Sequence, residues 1–375
     1  MVKIVKFVFF AFCAGFLISS CNFPYQPSQF ILPPPNFIFP SKSDVLNFIG
    51  NGSANVKLAF TLTTTVSDVY FIDYNSYNDS AFLPQQLKKP KGMESFNCAR
   101  SRISPDGSFV AYYLTQGATI NGAYIQRLDT AATPVLIDAN GTEPHWWQDS
   151  TGLYIIYSNV ILVPTTGGVS KNIGQTFKRK VDLTGNGAVA GPSQVIAPYP
   201  MNGGLSASGQ YLCTGYESAA FYDVFNSLLI PINRGFQTCN PSIDPDTAHA
   251  GWMMFLNFNG VQNMNNPFFG ASDYPDSFIA EHSVLFIVDY SNTVRDYVPL
   301  SLLNAVYGGY SEWQTPEWSN NPQFAAAVGV INDAQADGII IKNIGDHTAT
   351  KTFLKFTLGK GKLDIESRPY IWIGK

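Results

Sequence analysis

Residues 101–113 read "SRISPDGSFVAYY". Ile103 precedes a Ser-Pro-Asp-Gly turn, and a nearly unbroken apolar run follows. Proline presets the first corner of a tight turn, aspartate bonds the backbone two residues on, and glycine accepts a positive φ. The run "SFVAYYL" (108–114) is apolar on successive residues rather than on alternate ones. A strand covered on both faces reads this way. The stretch is therefore a hairpin inside a core, and the fold turns on whether it stands alone.

It recurs. "PHWWQDSTGLYIIYS" (144–158), "GGLSASGQYLCTGY" (203–216), "NPSIDPDTAHAGWMMFL" (240–256) and "TPEWSNNPQFAAAVG" (315–329) each place an apolar residue before a short polar turn and a strand-like run. "SRPYIWIG" (367–374) repeats the first half only. The apolar positions before the turns are Ile103, Trp147, Leu205, Ile243, Trp318 and Trp372. A supersecondary unit repeated along a chain marks a propeller or solenoid. The pattern resembles the TolB-like (WD40-like, PD40) β-propeller repeat, in which a Trp-Ser-Pro-Asp-Gly-like turn joins the first two strands of each blade. The resemblance covers most of residues 50–375, and only "SPDG" at 104–107 is close to its consensus.

The two ends of the chain complete each other. Residues 56–90 hold strand candidates with no preceding turn motif, and the last copy has no chain left for its partners. The reading is an all-β, six-bladed propeller whose C-terminal strand becomes the inner strand of blade one. Closure removes the open edges that template aggregation. No long amphipathic helix is expected; Val45–Ile49 reads as a helical turn at most.

In such a repeat the inner strand runs down to the turn and the second strand returns. Residues two to three positions before those apolar positions, Arg100, His145, Asn202, Asn240 and Thr315, are expected to converge near one mouth of the central channel. Convergent polar groups at a concave opening make a binding-site candidate; the same groups also suit bonding between blades. A long loop, residues 257–282, "NFNGVQNMNNPFFGASDYPDSFIAEH", leaves from the same side. Loops of this length are uncommon in compact domains and are often functional. Its Phe268, Phe269 and Tyr274 offer aromatic faces for a sugar or a protein.

The N-terminus gives an address. Lys3 and Lys6 precede a 12-residue apolar run, Phe7–Ile18, too short for a membrane span of about 20 residues. It reads as the h-region of an export signal. Ile18-Ser19-Ser20-Cys21 resembles the lipobox of bacterial lipoproteins. The resemblance implies a cleaved signal over 1–20 and a Cys21 carrying acyl chains such as palmitate. Asn22, rather than an aspartate, implies the outer membrane. Residues 21–49 form a proline-rich spacer, with six prolines between 24 and 40. Its Phe and Ile residues are able to dock on the propeller domain, 50–375.

The composition narrows the function. Charged residues make up only 13% of the 375, and the net charge is −4. Without residues 1–20, 21 basic residues face 27 acidic ones, a charge of −6. Nucleic acid, which demands a basic face, is not an expected partner. No G-x-S-x-G, H-E-x-x-H, Walker A or G-x-G-x-x-G motif occurs, and His145, His249, His282 and His347 are scattered. Neither a cofactor nor a metal is expected. Cys98 and Cys239 sit at near-equivalent places in opposite blades; Cys213 and Cys239 are the candidate disulfide. The sequence reads as a membrane-anchored scaffold that binds a protein or a ligand, with envelope proteins or glycans as the expected partners. The alternative is a carbohydrate-binding or carbohydrate-active propeller, a lyase or hydrolase, using the top face and the insertion. If Cys21 is the lipid-bearing N-terminus, mass spectrometry of the mature protein will find an acylated Cys21 and no residues 1–20. An unmodified or differently placed N-terminus would remove the anchor.

Overall fold

The computed structural model describes residues 38–374, apart from 64–65, 77–83, 118, 165–169, 215–218, 234–237, 248, 250, 259–263, 269–279, 333–334, 358–361 and 364–367. Six antiparallel sheets follow one another along the chain. From the inside outward, blade two is Asn97–Ile103, Phe109–Gln116, Thr119–Arg127 and Val135–Asp138. Blades three to six begin with the inner strands Gly141–Asp149, Met201–Leu205, Thr238–Ile243 and Glu312–Trp318. Blade one takes its inner strand from the other end of the chain. Tyr370–Gly374 pairs with Asn55–Thr63, in register from Asn55↔Gly374 to Ala59↔Tyr370, and Lys362–Leu363 continues that edge. The ring closes as expected.

Strands read as apolar on both faces because each blade is sandwiched. In the second strand of blade two, Val110, Tyr112 and Leu114 pack toward blade one, while Ala111 packs toward blade three. Among the described residues, six such clusters link each blade to the next around the ring. The C-terminal strand serves two of them. Ile371 and Ile373 face blade six, and Tyr370 and Trp372 face blade two.

The opening turn has a second role. Asp106 accepts from the Ser108 N–H at 3.1 Å, as an Asx turn should. Trp372 of blade one donates its Nε1 proton to the Pro105 carbonyl at 3.0 Å. Its ring also lies over Gly107, where an added Cβ would come within 2.6 Å. Gly107 is thus required twice, for φ +74° and for this approach. Trp147 latches blade three onto Ser206 of the blade-four turn in the same manner.

One sequence expectation needs correction. The helix is longer than one turn: it spans Lys42–Ile49, with Ser41 and Asp44 forming a reciprocal capping box and Gly50 closing it in the left-handed region. The short acid at the third position is the signal that was underweighted. Val45 is buried against blades six and one, and Lys342 donates to the Phe48 carbonyl at 2.7 Å, so this part of the spacer lies on the propeller. A second short helix, Leu300–Val306, joins blades five and six. None of the described helices is long and apolar enough to cross a membrane.

Deleting residues 364–375 tests closure. Burying each large apolar side chain contributes about 1.5–3 kcal/mol. Loss of Ile371 and Ile373 alone therefore approaches the roughly 5–15 kcal/mol that holds a domain together. The truncated protein should aggregate or lose cooperative melting. A soluble protein with an unchanged Tm would show that the ring does not need its last strand.

Candidate functional site

In a regular inner strand the side chains point sideways into the neighbouring blades, and only backbone faces the axis. Turning a side chain toward the axis requires a break in the ladder. Every inner strand from blade two to blade six has one. The register shifts between Ala99 and Arg102, Thr142 and His145, Met201 and Leu205, Cys239 and Ser242, and Gln314 and Glu317. Each break holds a residue with positive φ: Arg100 (56°), Glu143 (52°), Gly203 (121°), Asn240 (50°) and Thr315 (41°). Arg368 (40°) holds the equivalent place in blade one. For a β-branched residue such as Thr315 this conformation costs on the order of 1–3 kcal/mol. The bulge re-aims the strand, as bulges do.

Four of the six bulges contain proline directly after the positive-φ residue: Pro144, Pro241, Pro316 and Pro369. A bulged position makes no ladder bond, so it tolerates a residue without an N–H. Blade four uses glycine instead. A Cβ on Gly203 would meet the Pro241 carbonyl at 2.2 Å, and one on Gly204 would meet His145 Nδ1 at 2.8 Å. This alignment also corrects two of the positions before the turns. Trp146 and Ile371, not Trp147 and Trp372, stand in the register of Ile103, Leu205, Ile243 and Trp318.

The bulges gather a charged plug on the axis. Glu317 Oε2 accepts from Arg102 Nη2 at 2.6 Å and from Arg368 Nη1 at 3.4 Å, and its Oε1 accepts from the Ser242 hydroxyl at 3.2 Å. Asn202 Oδ1 accepts from Arg368 at 3.0 Å and from Arg100 at 3.3 Å. Arg100 is also ion-paired with Glu143. Arg102 and Arg368 donate to the carbonyls of Pro144 and Pro241 at 3.2 and 3.1 Å. Arg100, Arg102, Glu143, His145, Glu317 and Arg368 are all buried. Burial, reinforced by Arg102, Arg368 and Arg100, holds the His145 pKa well below the usual histidine range, so the ring stays neutral. Burial also works against the Arg102 charge, which Glu317 sustains.

Of the residues expected at the channel mouth, Arg100, His145 and Asn202 meet on the axis, and Asn240 and Thr315 occupy the matching bulges. They form a closed plug, not an open mouth. Arg102, Glu143, Ser242, Glu317 and Arg368 were missed. The signal for them was present: a proline or glycine two residues ahead of the apolar position, and charges at 102, 317 and 368 inside strand-like runs.

The insertion does not join this plug in its described part. Asn257 staples its ends together, donating to the Ala280 carbonyl and accepting from the Val284 N–H. Asn265 then bridges to Thr293, beside the outermost strand of blade five, Val294–Pro299. Phe268 stacks on His347 of blade six, with ring centroids 3.6 Å apart. The expectation that the insertion and the bulge residues share one face therefore fails for Met264–Phe268, which lie on the outer rim. Phe269, Tyr274 and Cys21 lie outside the described residues.

Cys213 is a free, fully buried thiol, so the expected Cys213–Cys239 bridge is not formed. Burial raises its pKa well above the ordinary value, and Cys98 is pushed up to about 12 for the same reason. Among the described residues no three His, Cys, Asp or Glu side chains gather as a metal-ligand set.

Comparison with solved structures places the fold. TolB from Acinetobacter baumannii superposes with a TM-score of 0.50 at 12% identity, over 84% of this chain and 66% of that one, so this chain spans just under two thirds of its length. A putative TolB from Agrobacterium tumefaciens gives a TM-score of 0.45 at 12% identity, over 86% of this chain and 100% of the other. No protein-family model matches the chain, and no curated protein matches it. The likeness to the Acinetobacter protein is one of fold: a six-bladed propeller of the TolB type.

Two variants test the plug. Glu317→Ala leaves Arg102 and Arg368 buried without their carboxylate and should cost about 3–5 kcal/mol, read from denaturant melts. A cost under about 1 kcal/mol would mean water already carries these charges. His145 sets a pH dependence. Its folded pKa lies below the unfolded value of about 6.5, so its contribution is full above that pH and is lost as the pH falls below it. Between pH 7 and pH 5, His145→Gln should lose less Tm than the wild type; equal slopes would dismiss the histidine.

Proposed function

We propose that this chain is an envelope lipoprotein, held at the outer membrane by acyl chains on Cys21, whose propeller is a rigid scaffold for binding another protein. One observation carries the binding part. The outermost strand of blade four, Leu228–Pro231, is uncharged and ends its sheet. Phe225 is 67% exposed, Leu228 55% and Leu229 39%. Exposed, apolar, unprotected edges are what proteins normally avoid. The neighbouring outer edges are treated differently. Asn265 bridges to Thr293 at blade five, and Ile38 bridges to Thr357 at blade six. Extended segments thus cover edges elsewhere in this molecule, and an extended strand of a partner protein suits the blade-four edge by the same pairing.

The axis supports a scaffold reading over a substrate pocket. Its polar side chains bond largely to one another, and their mutual pairing stiffens the ring. The carbohydrate alternative relied on the aromatic faces of the insertion, and Phe268 already spends one face on His347.

The test is crosslinking in cells from a photoreactive residue at position 226, comparing the wild type with Leu228→Lys plus Leu229→Lys. Both positions are exposed, so the fold should survive with a Tm within a few degrees. A defined protein adduct in the wild type that disappears in the double variant supports the reading. An adduct unaffected by two lysines, or no adduct at all, would refute the edge as the binding surface.

A further inference from the structure

The outer surface where blades five and six meet carries an apolar patch that the core does not use. Residues 297–311 contain no charged side chain, although the helix Leu300–Val306 lies within them and a surface helix normally turns charge toward solvent. Leu300 and Leu303 are buried between the two blades. Leu302 and Val306, one turn apart, face outward. Val306 is 59% exposed, and Leu302 and Tyr307 are each more than a third exposed. Tyr307 ties the helix to the outermost strand of blade six, Thr352–Phe356, by donating its hydroxyl proton to the Phe353 carbonyl at 3.0 Å. Lys355 of that strand lies over the Tyr307 ring, with Nζ 5.1 Å from the centroid. One residue past the strand, Thr357 exchanges two backbone hydrogen bonds with Ile38, whose side chain is 66% exposed. Single exposed apolar residues are ordinary, but these gather along one strand.

Given acyl chains on Cys21, on which this inference rests, we propose that the patch lies against the bilayer surface. Ile38, Leu302 and Val306 enter the boundary below the headgroups, Tyr307 sits at the headgroup level, and Lys355 meets lipid phosphate. The occupant follows from where the lipid-bearing segment arrives. Seventeen positions separate Cys21 from Ile38, and Ile38 is hydrogen-bonded into the patch itself. A chain of that length reaches at most about 60 Å. The anchor therefore keeps the patch at a high effective concentration beside the membrane, where modest affinity is enough. The residue types suit the same occupant. Interfacial helices bury an apolar face at the headgroup boundary. An aromatic ring with a polar tip favours that level, and a lysine stem lies along apolar surface while its ammonium stays wet. Asp337, 3.9 Å from Lys355, is buried and presents no charge to the membrane. Docked in this way the propeller is held in one orientation instead of swinging on its tether. The blade-four edge, two blades round the ring from blade six, stays open to its partner.

The full acylated chain is reconstituted into vesicles of phosphatidylethanolamine and phosphatidylglycerol. An environment-sensitive fluorescent amino acid replaces Val306 in one variant and Phe225 in another. Flotation reads the anchor, and emission reads the surface. Both variants should float. Emission from position 306 should be blue-shifted and quenched by lipids brominated on their acyl chains, whereas emission from position 225 should be aqueous and unquenched. Adding Ile38→Lys and Leu302→Lys, both at exposed positions, should return position 306 to an aqueous spectrum with flotation and Tm unchanged. A floating protein whose position 306 is aqueous overturns the docking and leaves the anchor standing. A blue shift without bromine quenching would mean that protein, not lipid, covers the patch, and overturns it as well. A chain that does not float lacks the anchor, and the docking falls with it.

Discussion

Everything in this molecule depends on the pairing of Tyr370–Gly374 with Asn55–Ala59. Each sheet is apolar on both faces, so each must be covered on both sides. A row of such sheets has no stable end; it must close. The last strand closes it in two ways at once. It completes the ladder of blade one, and it presents Ile371 and Ile373 to one neighbour and Tyr370 and Trp372 to the other. The Trp372 bond to Pro105 ties the closing strand to the turn of blade two, so the junction is also fastened at the rim.

Closure has a consequence at the centre. Six inner strands converge on an axis to which a regular strand offers only backbone. The bulges convert that geometry into chemistry by aiming side chains inward. Glu317 holds the centre of the result, joining blade six to blades two and one through Arg102 and Arg368, and to blade five through Ser242. The ring is thus held from outside by apolar packing between blades and from inside by charge. These are different forces with different responses to salt and pH.

Much of this was legible. Repetition of the turn motif disclosed the propeller, and unbroken apolar runs disclosed two-sided burial. Arg100, His145 and Asn202 were picked out as convergent from strand direction alone. What escaped was the bulge. Counting back from the turns assumes an unbroken strand, and that count put His145 on the level of Arg100, although it aligns with Arg102. It also made the axis an open mouth, because nothing local reveals that arginines from two blades share one carboxylate from a third. The insertion misled for a similar reason. Its departure point was correct, but Met264 and Phe268 found their partners on the rim, where Tyr297 and His347 lie.

The sequence by itself determined the repeat, the number of blades, the need for the ends to meet and the identity of the turn residues. All of these follow from local conformational preference and from which residues must leave water, and neighbours in the chain settle both. The tertiary structure decided which charges pair, where the insertion lies, and that Cys213 stays a free thiol. These depend on distances between residues up to 215 positions apart, such as Arg102 and Glu317. Those distances are set by the diameter and twist of a closed ring, a property of all six blades together that no single stretch contains.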